Sequence, residues 1–376
     1  MVDRIQYIKE FNDKIFYNDA AKNKKTIIFI YTPPKVGSTS LVSSLRISGA
    51  RRHNVVHIHD EKMLSVLTNY ENKENVTISE LISYNSSIGK NVYVIDVYRN
   101  PIERKISEYF EILSSFHFNS TENEMQKYNL DTIIKRFNSI FPFIGNGDYF
   151  FDKYNIDVPN QFDFNNKFLL VNKENIKYIK LRLCDSNEWS KILSKIFKIE
   201  IITVKDYMTE NKIVGDLYKK FKEKYVIPYN LLETVKQCKH FNYYNSEHDK
   251  KLYSAIWDNK KTNVFFKPFS LKKFNFYKEI SNENQVNNII HRDHYLDYGC
   301  ICKSCSFKRY NIFNKIKKGE LIDIKITHEQ AVYEKKIRTV KKICTNIKNT
   351  MQKTRLRANV NTKNKNLFGM DIQGKK

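Results

Sequence analysis

The stretch "TIIFIYTPPKVGSTSL", residues 26–41, joins a short apolar run to a turn rich in hydroxyl side chains. Residues 26–31 are mostly β-branched and aromatic, which is typical of a buried strand. Two prolines follow, and helical spacing of apolar residues begins at about Thr39. Backbone N–H groups at the start of a helix attract anions, and Gly37 lets the backbone approach a ligand closely. The stretch therefore predicts an anion site between a strand and a helix, with Lys35 adding a full positive charge.

Strand-like and helix-like segments alternate along the first 262 residues. Besides residues 26–31, the predicted strands are "NVVHIH" (54–59), "NVYVIDVY" (91–98), a hairpin of "KFLLV" and "IKYIKLRL" (167–171 and 176–183), and "IEIITV" (199–204). Helix signals lie between them, including a capping box at Thr77 and Glu80 and a proline, Pro101, in a first helical turn. This alternation predicts an α/β domain with a mainly parallel central sheet over residues 26–262.

A second cation follows a predicted strand in "VYRNPIERKISEYFE", residues 97–111. Arg99 stands where the strand ends, and Ser107 lies two turns into the next helix. Arginine suits bidentate contact with phosphate. Because ligands of open α/β sheets bind at the carboxyl ends of the strands, we expect Lys35 and Arg99 to hold two anionic groups of one ligand.

The order of residues around Lys35 argues against the usual ATP or GTP loop. A Walker A loop places its lysine after two glycines. Here Lys35 precedes Gly37, and this stretch has no second glycine. On this stretch alone, the simplest alternative to an anion site is an ordinary turn rich in serine and threonine.

Together the two stretches resemble a known family. K-x-G-[ST]-[ST] after the first strand, with R-x7-S across a later strand–helix junction, is similar to the sulfotransferases that use 3′-phosphoadenosine 5′-phosphosulfate (PAPS). The closer likeness is to a branch described as capsular polysaccharide synthesis proteins, and it is carried by "FFDKYNIDV" (150–158), "KYIKLRLCDSNEW" (177–189) and "CKHFNYYNSEHDKKLYSAIW" (238–257). The resemblance covers roughly residues 26–260. It implies a P-loop-like, three-layer domain that transfers a sulfuryl group from PAPS to a hydroxyl, on a carbohydrate, with adenosine 3′,5′-bisphosphate as product.

The resemblance also implies roles for single residues. The phosphosulfate loop would consist of Lys35, Gly37, Ser38, Thr39 and Ser40, and the 3′-phosphate site of Arg99 and Ser107. Lys35 would also act in catalysis, by contacting the sulfate and the bridging oxygen of the leaving phosphate. A cation there would counter charge that grows in the transition state.

The general base is expected in "NVVHIHDE", residues 54–61. The family has a catalytic histidine at a strand end, and His59 aligns with it. Histidine titrates near neutral pH, which suits a base. His57 would point to the same side of the strand, since side chains two residues apart do so. Asp60 and Glu61 are further alternatives, because some relatives use a glutamate.

The two ends of the chain differ from this domain. Residues 1–25 are predicted to form an amphipathic helix without the apolar stretch of a secretion signal, and no run is long and apolar enough to span a bilayer, so we expect a cytoplasmic protein. Residues 263–376 carry 25 lysines and arginines against 9 acidic residues, within a total net charge of +24. We divide them into a basic helical extension (263–353) and a tail predicted to be disordered (354–376). Their charge favours an anionic partner, with a solvated helix face as the alternative.

The extension carries two further patterns. His294, Cys300, Cys302 and Cys305 are residue types that can hold zinc tetrahedrally. C-x-C-x2-C is not a common finger spacing, and free or buried thiols are the alternative. Apolar residues at spacings of four and three over 333–351 predict a helical stripe that packs on the domain or pairs in a coiled coil.

Two other functions fit parts of the sequence. A kinase or glycosyltransferase could be built on a similar sheet, although the placement of Lys35 disfavours it. A non-catalytic protein could bind an anionic partner, such as nucleic acid, through its basic extension. No zinc-finger, RNP or OB signature supports sequence-specific recognition of nucleic acid.

Overall fold

A computed structural model describes residues 4–16, 19–49, 52–68, 71–72, 74–118, 120, 122–206, 208–283, 314–315 and 317–319. All described residues belong to one compact unit, Met1–Ile322. The zinc pattern at His294, Cys300, Cys302 and Cys305, the stripe over 333–351 and the tail at 354–376 lie outside the described residues.

The central sheet has five strands: Thr26–Tyr31 (β1), His53–Ile58 (β2), Asn91–Tyr98 (β3), Phe168–Lys173 (β4) and Ile176–Arg182 (β5). Their order across the sheet is β2-β1-β3-β5-β4. Neighbouring strands run parallel, except that β4 and β5 form an antiparallel hairpin. The predictions of an α/β fold, a mainly parallel sheet and this hairpin are confirmed. A separate parallel pair is formed by Ile227–Pro228 (β6) and Lys261–Thr262 (β7).

In chain order, the α-helices of the described residues are Arg4–Ile15 (α1), Asp19–Lys22 (α2), Ser38–Gly49 (α3), Lys62–Thr68 (α4), Ile78–Ser87 (α5), Pro101–Glu111 (α6), Leu130–Ile140 (α7), Tyr149–Asp152 (α8), Trp189–Phe197 (α9), Gly215–Lys224 (α10), Tyr229–Lys236 (α11), Lys239–Tyr244 (α12), Glu247–Asp258 (α13) and Leu271–Glu283 (α14). Short 3₁₀ helices lie at Glu124–Lys127, Phe141–Phe143, Leu183–Glu188 and Thr209–Asn211, and a π-helix lies at Leu113–His117. None of the helices in this part of the chain is long and apolar enough to cross a membrane.

Local sequence explains where several helices begin. Thr77 caps α5, and Glu80 completes the predicted capping box by accepting from the Thr77 backbone N–H. Pro101 opens α6, where the missing N–H costs nothing. Ser246 and Asp249 form a second capping box at the start of α13.

Both faces of the sheet are buried, and β1 shows how. Its alternate residues Ile27 and Phe29 enter a core shared with α1, α4 and α5, whereas Ile28 and Ile30 enter a core shared with α3 and α9. A third core joins α6, α7, α10, α11 and α13. Helix α14 packs against this third core through Phe274 and Tyr277, although it lies beyond the domain boundary predicted at residue 262.

The prediction of a strand at 199–204 is wrong. Residues 201–206 form no ladder with another strand and instead lie beside α3. The N–H groups of Ile202, Val204 and Asp206 donate to the hydroxyls of Ser48, Ser44 and Ser40, each at 2.9 Å. Serines four residues apart share one face of a helix, so α3 presents a row of acceptors that replaces a neighbouring strand.

Candidate functional site

The site lies where the strand order reverses. From β1 the chain crosses to β2 through α3, which packs on one face of the sheet. It then returns past β1 to β3 through α4 and α5, which pack on the other face. The strand order therefore reverses between β1 and β3, and in open α/β sheets the crevice at such a point is where ligands bind.

The loop after β1 has an unusual backbone. Lys35 is in the left-handed region with φ of 64°, and Gly37 follows with φ of 89°. A Cβ added at Gly37 would lie 2.6 Å from a methyl carbon of Leu183. The positive φ of Gly37 favours glycine at this position, and a larger residue would also require Leu183 to move. A lysine at positive φ is strained by roughly 1 kcal/mol or more, and such strain is concentrated at functional sites.

Lys35 forms an ion pair with Glu111, which a second lysine, Lys212, also contacts. Its Nζ lies 2.7 Å from Oε2 of Glu111, at the end of α6, and the same oxygen accepts from Nζ of Lys212. Burial alone would raise the pKa of Glu111, but the two lysines outweigh it and lower that pKa to about 2. Burial lowers the pKa of Lys35, although Glu111 opposes this. One carboxylate oxygen therefore joins two cations from distant parts of the chain.

Arg99 reaches the same loop. Its Nη1 donates to the carbonyl oxygen of Lys35 at 2.9 Å. The two predicted cations are thus brought together at the crevice. Ser107, in contrast, is buried inside α6 with 2% of its surface exposed, and no hydrogen bond joins it to Arg99 among the described residues.

The hydroxyls after Gly37 have different surroundings. Ser38 is buried, and its Oγ lies 3.0 Å from Nε2 of His57. Ser40 donates to the carbonyl oxygen of Asp206 at 3.0 Å and accepts from its N–H. Thr39 is half-buried, and its hydroxyl makes no hydrogen bond to another described residue. Of the three hydroxyls, that of Thr39 is therefore the best placed to meet a ligand.

His59 has its tautomer fixed by the loop. Its Nδ1 lies 2.7 Å from the carbonyl oxygen of Thr32, which can only accept, so Nδ1 carries the proton and Nε2 carries a lone pair. Burial lowers the pKa of His59, although the Thr32 carbonyl and Asp60 raise it, so the ring is neutral near pH 7. A neutral imidazole with an available lone pair is the form that a general base needs.

The alternative bases are engaged elsewhere. Nε2 of His57 meets Ser38, and burial lowers the pKa of His57 well below its usual value. Asp60 accepts from the N–H of Met63 at 3.1 Å, which caps α4. Glu61 accepts from the hydroxyl of Tyr31 at 3.2 Å. Their contacts give these three residues structural roles and leave His59 as the best-placed base.

Behind the loop lies a buried ionic group. Lys180 Nζ is 2.7 Å from Oδ2 of Asp96 and 2.5 Å from Oδ2 of Asp148, and the lysine side chain is fully buried. Asp96 also accepts from the Thr32 hydroxyl at 2.6 Å. Thr32 therefore connects this group to His59, because its hydroxyl binds Asp96 while its carbonyl binds the histidine.

Part of this constellation left a signal in the sequence. Asp96 is a lone acidic residue in the apolar run "NVYVIDVY", and Lys180 is a basic residue within a central strand; buried charges of this kind are nearly always paired. Glu111 and Lys212 left no such signal, because each lies on a polar surface pattern. Only the fold brings them to Lys35.

No family model, curated protein or solved structure matches this chain. Within the described residues, no group of three or more His, Cys, Asp or Glu side chains is placed to hold a metal ion. The case for a function therefore depends on the site itself.

Proposed function

We propose that this chain transfers a sulfuryl group from PAPS to an acceptor hydroxyl, on a carbohydrate, within a P-loop-like domain. The observation that carries the proposal is the convergence of Lys35, Arg99 and the neutral His59 at the carboxyl ends of three adjacent parallel strands. Two cations suit a ligand with several anionic groups, and a neutral imidazole suits activation of a hydroxyl.

Each residue has a separate task in this proposal. PAPS supplies the sulfuryl group. The bond between the sulfur and the 5′-phosphate oxygen breaks as the acceptor oxygen attacks the sulfur. Nε2 of His59 takes the proton from the acceptor hydroxyl. Lys35 balances the negative charge that grows on the leaving oxygen, which is an effect that preorganised groups supply well.

The fit to PAPS is better at one end than at the other. Gly37, Thr39 and Lys35 offer close backbone approach, a hydroxyl and a charge to a phosphosulfate group. At the proposed 3′-phosphate site, Arg99 lies in the crevice, whereas Ser107 is buried. Binding of a 3′-phosphate would therefore depend chiefly on Arg99. Contact with Ser107 would require the Ser107 side chain to become exposed.

The experiment compares adenosine 3′,5′-bisphosphate with AMP by calorimetry and thermal shift. The bisphosphate should bind more tightly, and a ligand at 100 times its Kd adds about 2.7 kcal/mol of stability. Arg99→Ala should cost about 1.5–3 kcal/mol of bisphosphate affinity and little AMP affinity, because only the former has a 3′-phosphate. The exposed Arg52 provides the control, Arg52→Ala, which should bind both ligands like the wild type.

Transfer itself is then tested with labelled PAPS and a panel of glycans and small hydroxyl compounds. Sulfation of at least one acceptor supports the proposal. Equal affinity for AMP and the bisphosphate would contradict the assignment of Arg99 to the 3′-phosphate. Binding of PAPS without transfer to any acceptor would contradict the enzymatic part and leave a nucleotide-binding protein.

A further inference from the structure

The pair formed by Glu111 and Lys212 lies beside Lys35 in the proposed site. Both lysines, Lys35 and Lys212, contact the same oxygen, Oε2 of Glu111. An anionic oxygen of a phosphate or sulfate group bound by Lys35 would occupy similar surroundings, with two ammonium groups as donors. The carboxylate thus stands where such a group is expected.

The three side chains are shielded but reachable. The side chains of Lys35, Lys212 and Glu111 are 13%, 16% and 28% exposed. Arg99 is also close enough to Lys35 to act on its pKa. Among the described residues, two lysines thus contact one carboxylate and a third cation lies beside one of them, and such a grouping of cations favours a multiply charged anion.

The segment carrying Lys212 is attached to the anion loop by its own contacts. Residues 201–206 follow the serines of α3, and Asp206 also accepts from the hydroxyl of Ser43 at 2.6 Å. Lys212 follows the 3₁₀ turn Thr209–Asn211 directly. The serine row of α3 therefore guides this segment toward the crevice that begins at Lys35.

We infer that Lys212 is a ligand-binding residue of this site and that Glu111 is a counter-ion which the anionic group of the ligand displaces from the two lysines. The ligand class is a phosphate or sulfate ester with more than one negative charge. This inference rests on the proposed function for the identity of the nucleotide, but not for the presence of an anion site.

The test measures the affinity of two probes, adenosine 3′,5′-bisphosphate and inorganic pyrophosphate, by calorimetry. Glu111→Gln removes the competing charge, so it should bind both probes about tenfold more tightly, since like charges in contact oppose binding. Lys212→Met should bind both about tenfold or more weakly, as expected for a lost charge-assisted contact. Glu108→Gln, on the same helix, and the exposed Lys219→Met are matched controls that should change affinity little.

The outcomes separate the two proposals. If the wild type binds the bisphosphate but Glu111→Gln is not tighter, or Lys212→Met is not weaker, the inference is overturned and the proposed function stands. If pyrophosphate shows the predicted changes and the bisphosphate does not bind, the inference stands and the nucleotide assignment fails. If neither probe binds to the wild type or to Glu111→Gln, both are overturned.

Discussion

Two groups of charges flank the loop after β1, and they have opposite compositions. In the closed cluster, Lys180 lies between Asp96 and Asp148. The two oxygens of Asp96 accept from the Thr32 hydroxyl, the N–H groups of Val97 and Phe150, and Lys180, at 2.6–3.0 Å. These four donors match the capacity of a carboxylate. The Asp96 carboxylate therefore has no acceptor capacity remaining for a ligand.

In the open cluster, one carboxylate lies between two lysines. Glu111 joins Lys35 and Lys212, and all three side chains keep some exposed surface. The closed cluster has a formal excess of one negative charge, which backbone and hydroxyl donors satisfy. Among the described residues, the open cluster has two lysines in contact with one carboxylate, and Arg99 reaches the same loop through the Lys35 carbonyl. An anion from solution can take the place of the carboxylate between the two lysines.

The comparison separates stability from function. A closed, fully hydrogen-bonded ionic group is costly to break because removing one partner leaves a buried charge unpaired. A partly exposed group costs less to break, because water can solvate what remains. We therefore expect substitutions in the closed cluster to cost the most stability, and those in the open cluster to cost less stability and to change ligand binding.

The largest expected effect is on folding in the closed cluster. Lys180→Met would leave two buried carboxylates without their cation, at a cost of about 3–5 kcal/mol in the free energy of unfolding. Urea denaturation measures it. Lys177→Met, an exposed position on the same strand, is the control and should change stability by less than about 0.5 kcal/mol. A Lys180→Met protein as stable as the control would show that the closed cluster is not structural.

The second effect is on turnover in the open cluster. Lys35→Ala should lower the rate of sulfate transfer by about 10²–10³, because it removes charge stabilisation of the transition state. Its stability should fall far less than that of Lys180→Met, since Glu111 keeps Lys212 as a partner. An assay of transfer from labelled PAPS measures the rate, and urea denaturation of the same preparation measures the free energy of unfolding. A loss of stability that matches the loss of activity would mean that the two clusters do not differ.

The sequence predicts the sheet better than it predicts the site. Alternation of apolar segments identified β1, β2, β3 and the β4–β5 hairpin, because burial on both faces imposes continuous apolar runs. The capping box of α5 was also readable, because its contacts lie within four residues. Local chemistry determines both kinds of feature.

The errors arose where contacts are distant in the chain. The run at 199–204 has the composition of a strand, yet its N–H groups meet serine hydroxyls of α3, and no local pattern signals that partner. Glu111 and Lys212 were missed for the same reason. Lys35, Arg99 and His59 were found from strand ends, and their assigned roles remain predictions.

The third effect is a pH dependence of stability that belongs to the open cluster. The pKa of Glu111 is lowered from 4.5 to about 2 in the folded state. Its contribution is therefore present above the unfolded value and is lost as the pH falls through this interval. Glu111→Gln should be less stable than the wild type by up to about 2–3 kcal/mol at neutral pH, and the difference should shrink between about pH 5 and pH 2. Urea denaturation at several pH values measures it, with Glu108→Gln as the control. A constant difference would mean that the lysines do not hold Glu111 ionised.

The smallest effect concerns the attachment between α3 and the segment that carries Lys212. The hydroxyl of Ser44 accepts from the Val204 N–H at 2.9 Å and donates to the Ser40 carbonyl at 2.6 Å. Ser44→Ala should cost about 1–2 kcal/mol of stability, because it leaves the Val204 N–H without its partner. Ser87→Ala removes a hydroxyl that binds only a carbonyl within its own helix, so it should cost less.

Ser44→Ala also tests whether this attachment serves the ligand. If the attachment positions Lys212, Ser44→Ala should weaken pyrophosphate binding in the wild type and have no further effect in Lys212→Met, which is the signature of coupled residues in a double-mutant cycle. Equal weakening in both backgrounds would show that Ser44 affects the loop after β1 directly, through the start of α3. The row of serines would then support the anion loop itself, and the contact between Lys212 and Glu111 would not depend on the attachment of its segment to α3.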